Sequence, residues 1–268
     1  MDTFITFTPL EQALLIGTFT WLMTAFGASF VFASKDFNQR VMDAMLGFAG
    51  GVMIAASFWS LLKPAAAMAD EAGTSAWIPT ATGFILGGFF LWAVDKLLPH
   101  LHPNMGLAQA EGIQSHKKKR STLLVLAITL HNIPEGLAIG VSIGAVSLGG
   151  AEFASVLILA VGLGLQNIPE GFAVSMPLRR EGLSRRRSFM YGQLSGLVEP
   201  VAAVVGVLAV GLFQPLLPYA LSFAAGAMIF VVVEEVVPAA HEEGNGDLAS
   251  AFLIIGFTLM MVLDIMLG

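Results

Sequence analysis

The chain of 268 residues is 56 % hydrophobic and only 12 % charged, and its mean hydropathy of +0.79 excludes an ordinary soluble globular domain. It contains no cysteine, which excludes disulfides and thiolate metal sites. The net charge of −6 says little about partners, because in a membrane protein the placement of charge matters more than its sum. The long apolar runs predict an all-α polytopic membrane protein, since helices satisfy their own backbone groups in hydrocarbon.

Apolar runs bounded by charge, proline or glycine predict eight transmembrane helices within a single domain, residues 1–268. In chain order they lie near residues 10–33, 41–62, 77–98, 122–147, 152–178, 187–213, 215–238 and 248–267. The N-terminus lacks the basic residues of a cleaved signal peptide, so helix 1 is predicted to be retained. The connections are short apart from residues 99–121, which are predicted to form a cytoplasmic loop between helices 3 and 4.

Basic residues are concentrated at one end of the predicted helices. Of the 13 lysines and arginines, only Lys63 falls at the opposite end. The positive-inside rule therefore places connections 1–2, 3–4 and 5–6 in the cytoplasm. With eight spans, both termini are predicted to lie outside the cytoplasm, in a multi-pass protein of the bacterial inner (plasma) membrane.

Two pairs of helices have similar sequences and predict an inverted repeat that relates helices 1–3 to helices 6–8. Residues 47–54 of helix 2 match residues 222–229 of helix 7 at several positions. In helix 3, Phe84, Gly88, Phe89 and Leu91 align with Phe252, Gly256, Phe257 and Leu259, and after a one-residue slip Asp95 aligns with Asp264. The copies lie five helices apart, so they cross the bilayer in opposite directions, as in many secondary transporters. The alternative is that small residues recur because they permit close helix packing.

A duplicated motif is the most specific pattern in the chain. Helix 4 reads His131-Asn132-Ile133-Pro134-Glu135-Gly136, and helix 5 reads Gln166-Asn167-Ile168-Pro169-Glu170-Gly171. Because the first and fifth motif residues are four apart, they share one helix face, and each helix offers two ligands to one point. Each proline removes a backbone hydrogen bond and is predicted to kink its helix, while the glycine leaves room for close packing.

Carboxylates in the middle of these helices indicate a cation site. An ionised group there costs at least about 2.5 kcal/mol, so Glu135 and Glu170 need a cation or a water-filled cavity. Helix 6 adds a third carboxylate, Glu199, followed by Pro200. Three carboxylates, one imidazole and three amides suit zinc and also iron(II), manganese, cobalt and cadmium. The alternative is that these side chains only form hydrogen bonds between helices.

At these residues the chain resembles the ZIP (Zrt/Irt-like) divalent metal transporter family, in particular its bacterial GufA-like branch. The resemblance covers nearly the whole chain and includes residues 43–48, Glu199-Pro200 and residues 225–231. It implies eight helices in a 3+2+3 arrangement that transport divalent metal ions toward the cytoplasm, zinc foremost. It also implies an elevator-type mechanism, in which helices 1, 4, 5 and 6 move against helices 2, 3, 7 and 8.

The resemblance further implies two ion positions. The primary ligands would be His131, Glu135, Gln166 and Glu170, and the second position would add Asn132, Asn167 and Glu199 while sharing Glu135 and Glu170. Many relatives have histidine where Gln166 stands, and some bacterial members have aspartate where Asn167 stands. The second ion is therefore expected to bind weakly or not at all.

Acidic and histidine residues near the helix ends are candidate pathway residues. Glu234, Glu235 and His241, with Glu242 and Glu243 beyond them, could form a cytoplasmic exit with Asp95. A solvated helix end explains Glu242 and Glu243 equally well, but it explains Glu234 and Glu235 less well. Asp264, near the outer end of helix 8, could attract metal or cap the helix. His100-Leu101-His102 is interpreted as a loop coincidence rather than a ligand pair.

Two other functions are less compatible with the sequence. A membrane-embedded zinc hydrolase is disfavoured because only His131 lies in a hydrophobic segment and no HExxH motif is present. A sensor or structural bundle is disfavoured because no recognisable signalling domain is attached. The chain is thus predicted not to be an enzyme and to have no catalytic cofactor, with zinc or another divalent metal as transported substrate. Its predicted partners are metal ions and the lipid bilayer; nucleic acid is not expected, and a homodimer is left open.

Overall fold

The computed structural model describes residues 6–33, 38–100, 112, 120–212 and 214–267. Within these residues the chain is helical and contains no β-strand. The main helices are α1 (Pro9–Phe32), α2 (Gln39–Glu71), α3 (Trp77–Leu97), α4 (Arg120–Ser147), α5 (Phe153–Arg180), α6 (Arg185–Gly196 and Val198–Leu212), α7 (Leu217–His241) and α8 (Gly246–Leu267). In the described part, seven of these helices, α1 to α3 and α5 to α8, are both long enough and apolar enough to cross a membrane. The chain is therefore a multi-pass membrane protein.

The first two helices begin at side-chain caps that the local sequence provides. The Thr8 side chain accepts a hydrogen bond from the backbone N–H of Glu11, whose carboxylate bonds back to Thr8, while Pro9 occupies the first helical position. Asn38 caps α2 by accepting from the backbone N–H of Arg40 at 3.0 Å. These starts agree within two residues with those predicted from the apolar runs.

The end of α2 differs from the prediction. The charge of Lys63 and the following Pro64 predict a helix end near residue 62, but α2 continues to Glu71. Residues Ser57–Leu62 form a π-helical segment that ends two positions before Pro64. Such a wider turn accommodates a residue that cannot donate a backbone hydrogen bond. Similarly, in α7 the π-helical segment Val232–Val236 precedes Pro238.

The helices pack in four extensive pairs. These pairs are α2 with α8, α3 with α7, α4 with α6, and α1 with α5. The predicted repeat exchanges helix 2 with 7 and helix 3 with 8, so it converts the first pair into the second. Exchanging helix 1 with 6 and helix 4 with 5 likewise converts the third pair into the fourth. The contacts thus follow the predicted inverted relationship.

Close glycine contacts set the register of this repeat. Four glycines contact a backbone carbonyl so closely that an added Cβ atom would collide with it. Between α2 and α8, Gly51 meets the Leu253 carbonyl and Gly256 meets the Phe48 carbonyl. Between α7 and α3, Gly226 meets the Phe84 carbonyl and Gly87 meets the Phe223 carbonyl. The repeat therefore relates Gly87 to Gly256, the same register that relates Asp95 to Asp264. The predicted alignment of Gly88 with Gly256 was wrong by one residue. It rested on identical residues, whereas the glycine contacts show which backbone positions are equivalent.

Burial separates central helices from peripheral ones. In its most apolar window α5 is 78 % buried, whereas α8 is 11 % buried. The outward faces of α3 and α8 carry exposed large apolar side chains such as Ile85, Phe89, Ile254 and Ile265. This is the distribution expected of peripheral helices that contact lipid. The duplicated motif consequently lies on the innermost elements.

Candidate metal site

The two motif segments lie inside continuous helices. Pro134 and Pro169 are both within the helical ranges of α4 and α5. A Cβ atom on Gly136 would collide with the carbonyl of Glu199, and one on Gly171 with the carbonyl of Thr24. The motif glycines therefore let α6 and α1 approach next to the two glutamates, as the sequence pattern predicted.

All seven predicted ligands are buried. His131, Asn132, Glu135, Gln166, Asn167, Glu170 and Glu199 are each at most 3 % exposed. Glu135 and Glu170 lie within hydrogen-bonding reach of each other. Among the described residues, no donor has hydrogen-bonding geometry to any of their four carboxylate oxygens. Two buried carboxylates this close require a proton or a cation between them, because unpaired burial of like charges is costly.

Amide groups complete this cluster. The Gln166 side chain lies beside Glu135, and its NH₂ group donates to Oδ1 of Asn167 at 3.0 Å. The Gln166 carbonyl oxygen has no partner within the described chain, and neither does either polar atom of the Asn132 side chain. Acceptor oxygens without donors are the groups that a cation can bind.

Glu199 is held differently from the other two glutamates. One carboxylate oxygen accepts from Nδ2 of Asn167 at 2.9 Å, and the other accepts from the Thr24 hydroxyl at 3.3 Å. Nδ2 of Asn167 also donates to the Thr20 carbonyl at 3.1 Å. Helix α1 therefore takes part in the site, although no pattern in its sequence predicted a residue that supports the ligands. The available signal was the repeat, in which Thr24 occupies the position of Glu199.

His131 is paired with a carboxylate from α7. Its Nε2 atom contacts a carboxylate oxygen of Glu235, and both side chains are buried. Glu235 lies in the π-helical segment of α7. A cavity beside this pair is lined by Leu46, Ile128, His131, Glu170, Ala173, Glu235, Val236 and Ala239. The predicted pathway residue Glu235 is thus in direct contact with a predicted ligand.

Asp95 lies at the end of α3 beside His100. Oδ1 of Asp95 and Nε2 of His100 are 2.9 Å apart, and both residues are buried. Burial lowers the pKa of His100, but hydrogen bonds to Asp95 and to the Leu98 carbonyl, together with the negative charges of Asp95 and Glu235, raise it to about 9. His100 is therefore a buried partner of Asp95. Leu101 and His102 lie outside the described residues, so the interpretation of the His100-Leu101-His102 pair as a coincidence stays a prediction.

The other candidate pathway residues divide between surface and core. Glu234 is exposed. His241 is exposed as well, and its ring bonds to the Val237 carbonyl at 2.8 Å and to the Ser250 hydroxyl at 3.0 Å, which ties α7 to α8. Asp264 is 9 % exposed, and both its carboxylate oxygens lie 3.1 Å from the Ser60 hydroxyl.

The repeat relates the two polar clusters that flank the motif. In the register that the close glycine contacts set, Ser60 of α2 corresponds to Glu235 of α7, and Asp264 corresponds to Asp95. Ser60 and Glu235 both lie in π-helical segments, which are frequent at functional positions. One cluster is the Ser60 and Asp264 pair, and the other is the Asp95 and His100 pair. The charge of Glu235 also acts on His100, although Glu235 makes its direct contact with His131.

The described residues contain no group of three or more histidine, aspartate or glutamate side chains close enough to hold a metal ion. The donors that meet at the motif are two carboxylates, Glu135 and Glu170, with the Gln166 amide. A bound divalent ion would therefore need amide ligands or a shift of the His131 side chain away from Glu235. Carboxylate, amide and imidazole donors are chemically suited to zinc and to harder divalent ions.

Fold and site define a multi-pass α-helical membrane protein with carboxylates and amides buried between its central helices. The family model described as ZIP Zinc transporter matches residues 109–264. The chain belongs to this family.

Named relatives match nearly the whole chain. The human zinc transporter ZIP11 is 43 % identical over 96 % of this chain and 97 % of its own length. Zinc transporter GufA of Myxococcus xanthus is 40 % identical over 97 % of this chain and 98 % of its own length. Zinc transporter ZIPB of Bordetella bronchiseptica is 40 % identical over 96 % of this chain and 81 % of its own length. The similarity to GufA confirms the predicted resemblance. These relatives are named as transporters and not as enzymes, in agreement with the predicted class.

Proposed function

We propose that the chain transports divalent metal ions, zinc foremost, toward the cytoplasm between α4, α5 and α6. The observation that carries the proposal is the close approach of Glu135 and Glu170, whose carboxylate oxygens have no donor among the described residues. A divalent cation between them would neutralise both charges in a low-dielectric environment. The relatives named as zinc transporters support zinc as the first substrate to test.

The primary position uses His131, Glu135, Gln166 and Glu170. The second uses Asn132, Asn167 and Glu199 and shares the two motif glutamates. Glu199 already accepts hydrogen bonds from Thr24 and Asn167, so an ion there competes with these donors. The donor set contains no thiolate, and selectivity among zinc, iron(II), manganese, cobalt and cadmium is therefore broad.

The transport mechanism is elevator-like and uses all eight helices, including α4, in a 3+2+3 arrangement. One group, α1, α4, α5 and α6, moves against a second group, α2, α3, α7 and α8. The four extensive helix pairs support this division, because each pair lies within one group. The contact of His131 with Glu235 joins the two groups, so it must break when they move.

The metal route runs from the Ser60 and Asp264 pair, past Glu235, to the Asp95 and His100 pair. Both termini lie outside the cytoplasm of the bacterial inner membrane, since the basic residues mark the cytoplasmic end. The Ser60 and Asp264 pair joins α2 to α8, and Asp95 of α3 and Glu235 of α7 add two further carboxylates, so oxygen donors are available along the route.

Uptake of radioactive zinc into proteoliposomes tests the function. Wild type should load zinc, while Glu135→Ala and Glu170→Ala should each abolish uptake, because each carboxylate serves both ion positions. Glu152→Ala is the matched control, since it removes an exposed carboxylate just before α5. Absence of uptake by folded wild-type protein, or wild-type uptake by both motif variants, would refute the proposal.

A further inference from the structure

Five arginines surround the connection between α5 and α6. They are Arg179, Arg180, Arg185, Arg186 and Arg187, and the only acidic residue between positions 179 and 187 is Glu181, so this stretch has a net charge of +4. Nη1 of Arg179 donates to the Leu183 carbonyl at 2.8 Å and fixes the connection. Its buried Nε atom has no acceptor within the described residues. The stretch therefore presents an excess of positive charge where α5 ends and α6 begins.

The three arginines at the start of α6 are exposed and lack a carboxylate partner in the described part of the chain. Arg185, Arg186 and Arg187 follow the cap residue Ser184, so they occupy the first turn of the helix. Positive charge there opposes the helix dipole, whose positive end lies at the N-terminus. An anion would relieve both the mutual repulsion of the arginines and this unfavourable placement.

An apolar stripe begins one turn below these arginines. Met190, Leu194, Leu197 and Val201 recur at three- and four-residue intervals after Arg187 and are between 40 % and 60 % exposed. In a membrane this stripe contacts acyl chains. Arg187 lies on the same helix face, at the level where the headgroup of such a lipid would be.

We propose that Arg185, Arg186 and Arg187 bind the headgroup of an anionic phospholipid whose acyl chain lies along the stripe from Met190 to Val201. The charge of the cluster selects an anion, and its continuity with the apolar stripe selects a lipid over a soluble ion. Arginine is suited to phosphate because its planar guanidinium donates two parallel hydrogen bonds. The lipid would hold the part of α6 that leads to Glu199.

The test measures lipid binding to detergent-purified protein by native mass spectrometry, with dioleoylphosphatidylglycerol against dioleoylphosphatidylcholine. Wild type should bind the anionic lipid at least about tenfold more tightly. R185Q/R186Q/R187Q should weaken that binding by about a hundredfold, from a few-fold loss for each basic residue. R185K/R186K/R187K keeps the charge but loses the bidentate hydrogen bonds, so its affinity for phosphatidylglycerol should fall several-fold. Equal melting temperatures in phosphatidylcholine alone will show that the variants are folded.

Charge-matched and soluble-anion controls decide between a site and general attraction. K117Q/K118Q/K119Q removes the same charge from a different part of the sequence and should leave phosphatidylglycerol affinity within about twofold of wild type. An equal loss in this variant, or no loss in the arginine variants, would overturn the proposal. Inorganic phosphate should not displace the lipid at equimolar concentration; displacement would show a soluble-anion site instead.

Discussion

The Thr24 hydroxyl donates a hydrogen bond to Glu199 at 3.3 Å, and these two residues occupy equivalent positions in the two halves of the repeat. The equivalence follows from the motif glycines, since Gly136 contacts the Glu199 backbone as Gly171 contacts the Thr24 backbone. One half thus supplies a carboxylate where the other supplies a neutral hydroxyl. The site is therefore asymmetric in charge although its backbone is repeated.

Removal of the Thr24 hydroxyl should make the site more dependent on zinc. In Thr24→Val, Glu199 loses a donor in a buried environment, which should cost about 1–3 kcal/mol of stability. Bound zinc should restore part of this loss, so the zinc-dependent rise in melting temperature should exceed that of wild type. Thr18→Val on the same helix is the control. An unchanged zinc effect in Thr24→Val would contradict a role for this hydroxyl at the site.

Much of the architecture follows from local sequence patterns. The apolar runs located the helices, and the four-residue spacing within the duplicated motif placed its ligands on inward faces. Local patterns could not show that His131 contacts Glu235, because that contact depends on how α4 and α7 are rotated against each other. The extension of α2 beyond Lys63 was also missed, because a π-helical turn that accommodates Pro64 has no periodicity of its own.

Neutralising Glu235 should affect zinc transport more than zinc binding. Glu235→Gln keeps the shape of the side chain but removes its charge next to His131 and in the cavity beside Glu170. We expect uptake to fall about tenfold or more, while zinc affinity at Glu135 and Glu170 changes less. Glu234→Gln is a close control, because the neighbouring Glu234 is exposed. Equal uptake by Glu235→Gln and Glu234→Gln would remove Glu235 from the route.

The close contact between α5 and α1 at the motif should not tolerate a methyl group. In Gly171→Ala, the new Cβ atom meets the backbone carbonyl of Thr24, and separation of α5 from α1 should cost about 1–3 kcal/mol. Gly211→Ala is the control, because no atom lies within 4 Å of its added Cβ. Melting temperatures in detergent should fall for the first variant and not for the second. Equal melting temperatures would show that α1 and α5 can separate without cost.

The proposed orientation can be tested by single cysteines, because the chain contains none of its own. Ser75→Cys lies in the exposed connection between α2 and α3, and Glu243→Cys lies in the one between α7 and α8. An impermeant maleimide added to intact cells should label the first cysteine and not the second. Labelling of both after permeabilisation is the control for reactivity. The reverse pattern would invert the orientation and the proposed direction of transport.

The strength of the second ion position should depend on one amide. Asn167 donates to Glu199 at 2.9 Å, so Asn167→Asp would replace that hydrogen bond with two adjacent carboxylates. Without metal the two charges repel each other, whereas with zinc they form a stronger site than an amide can provide. Calorimetry on purified protein should find one tight zinc ion in wild type and two in Asn167→Asp, with slower release and lower turnover in the variant. Two equally tight ions in wild type, unchanged by the substitution, would instead show that Glu199 binds zinc despite its hydrogen bonds to Thr24 and Asn167.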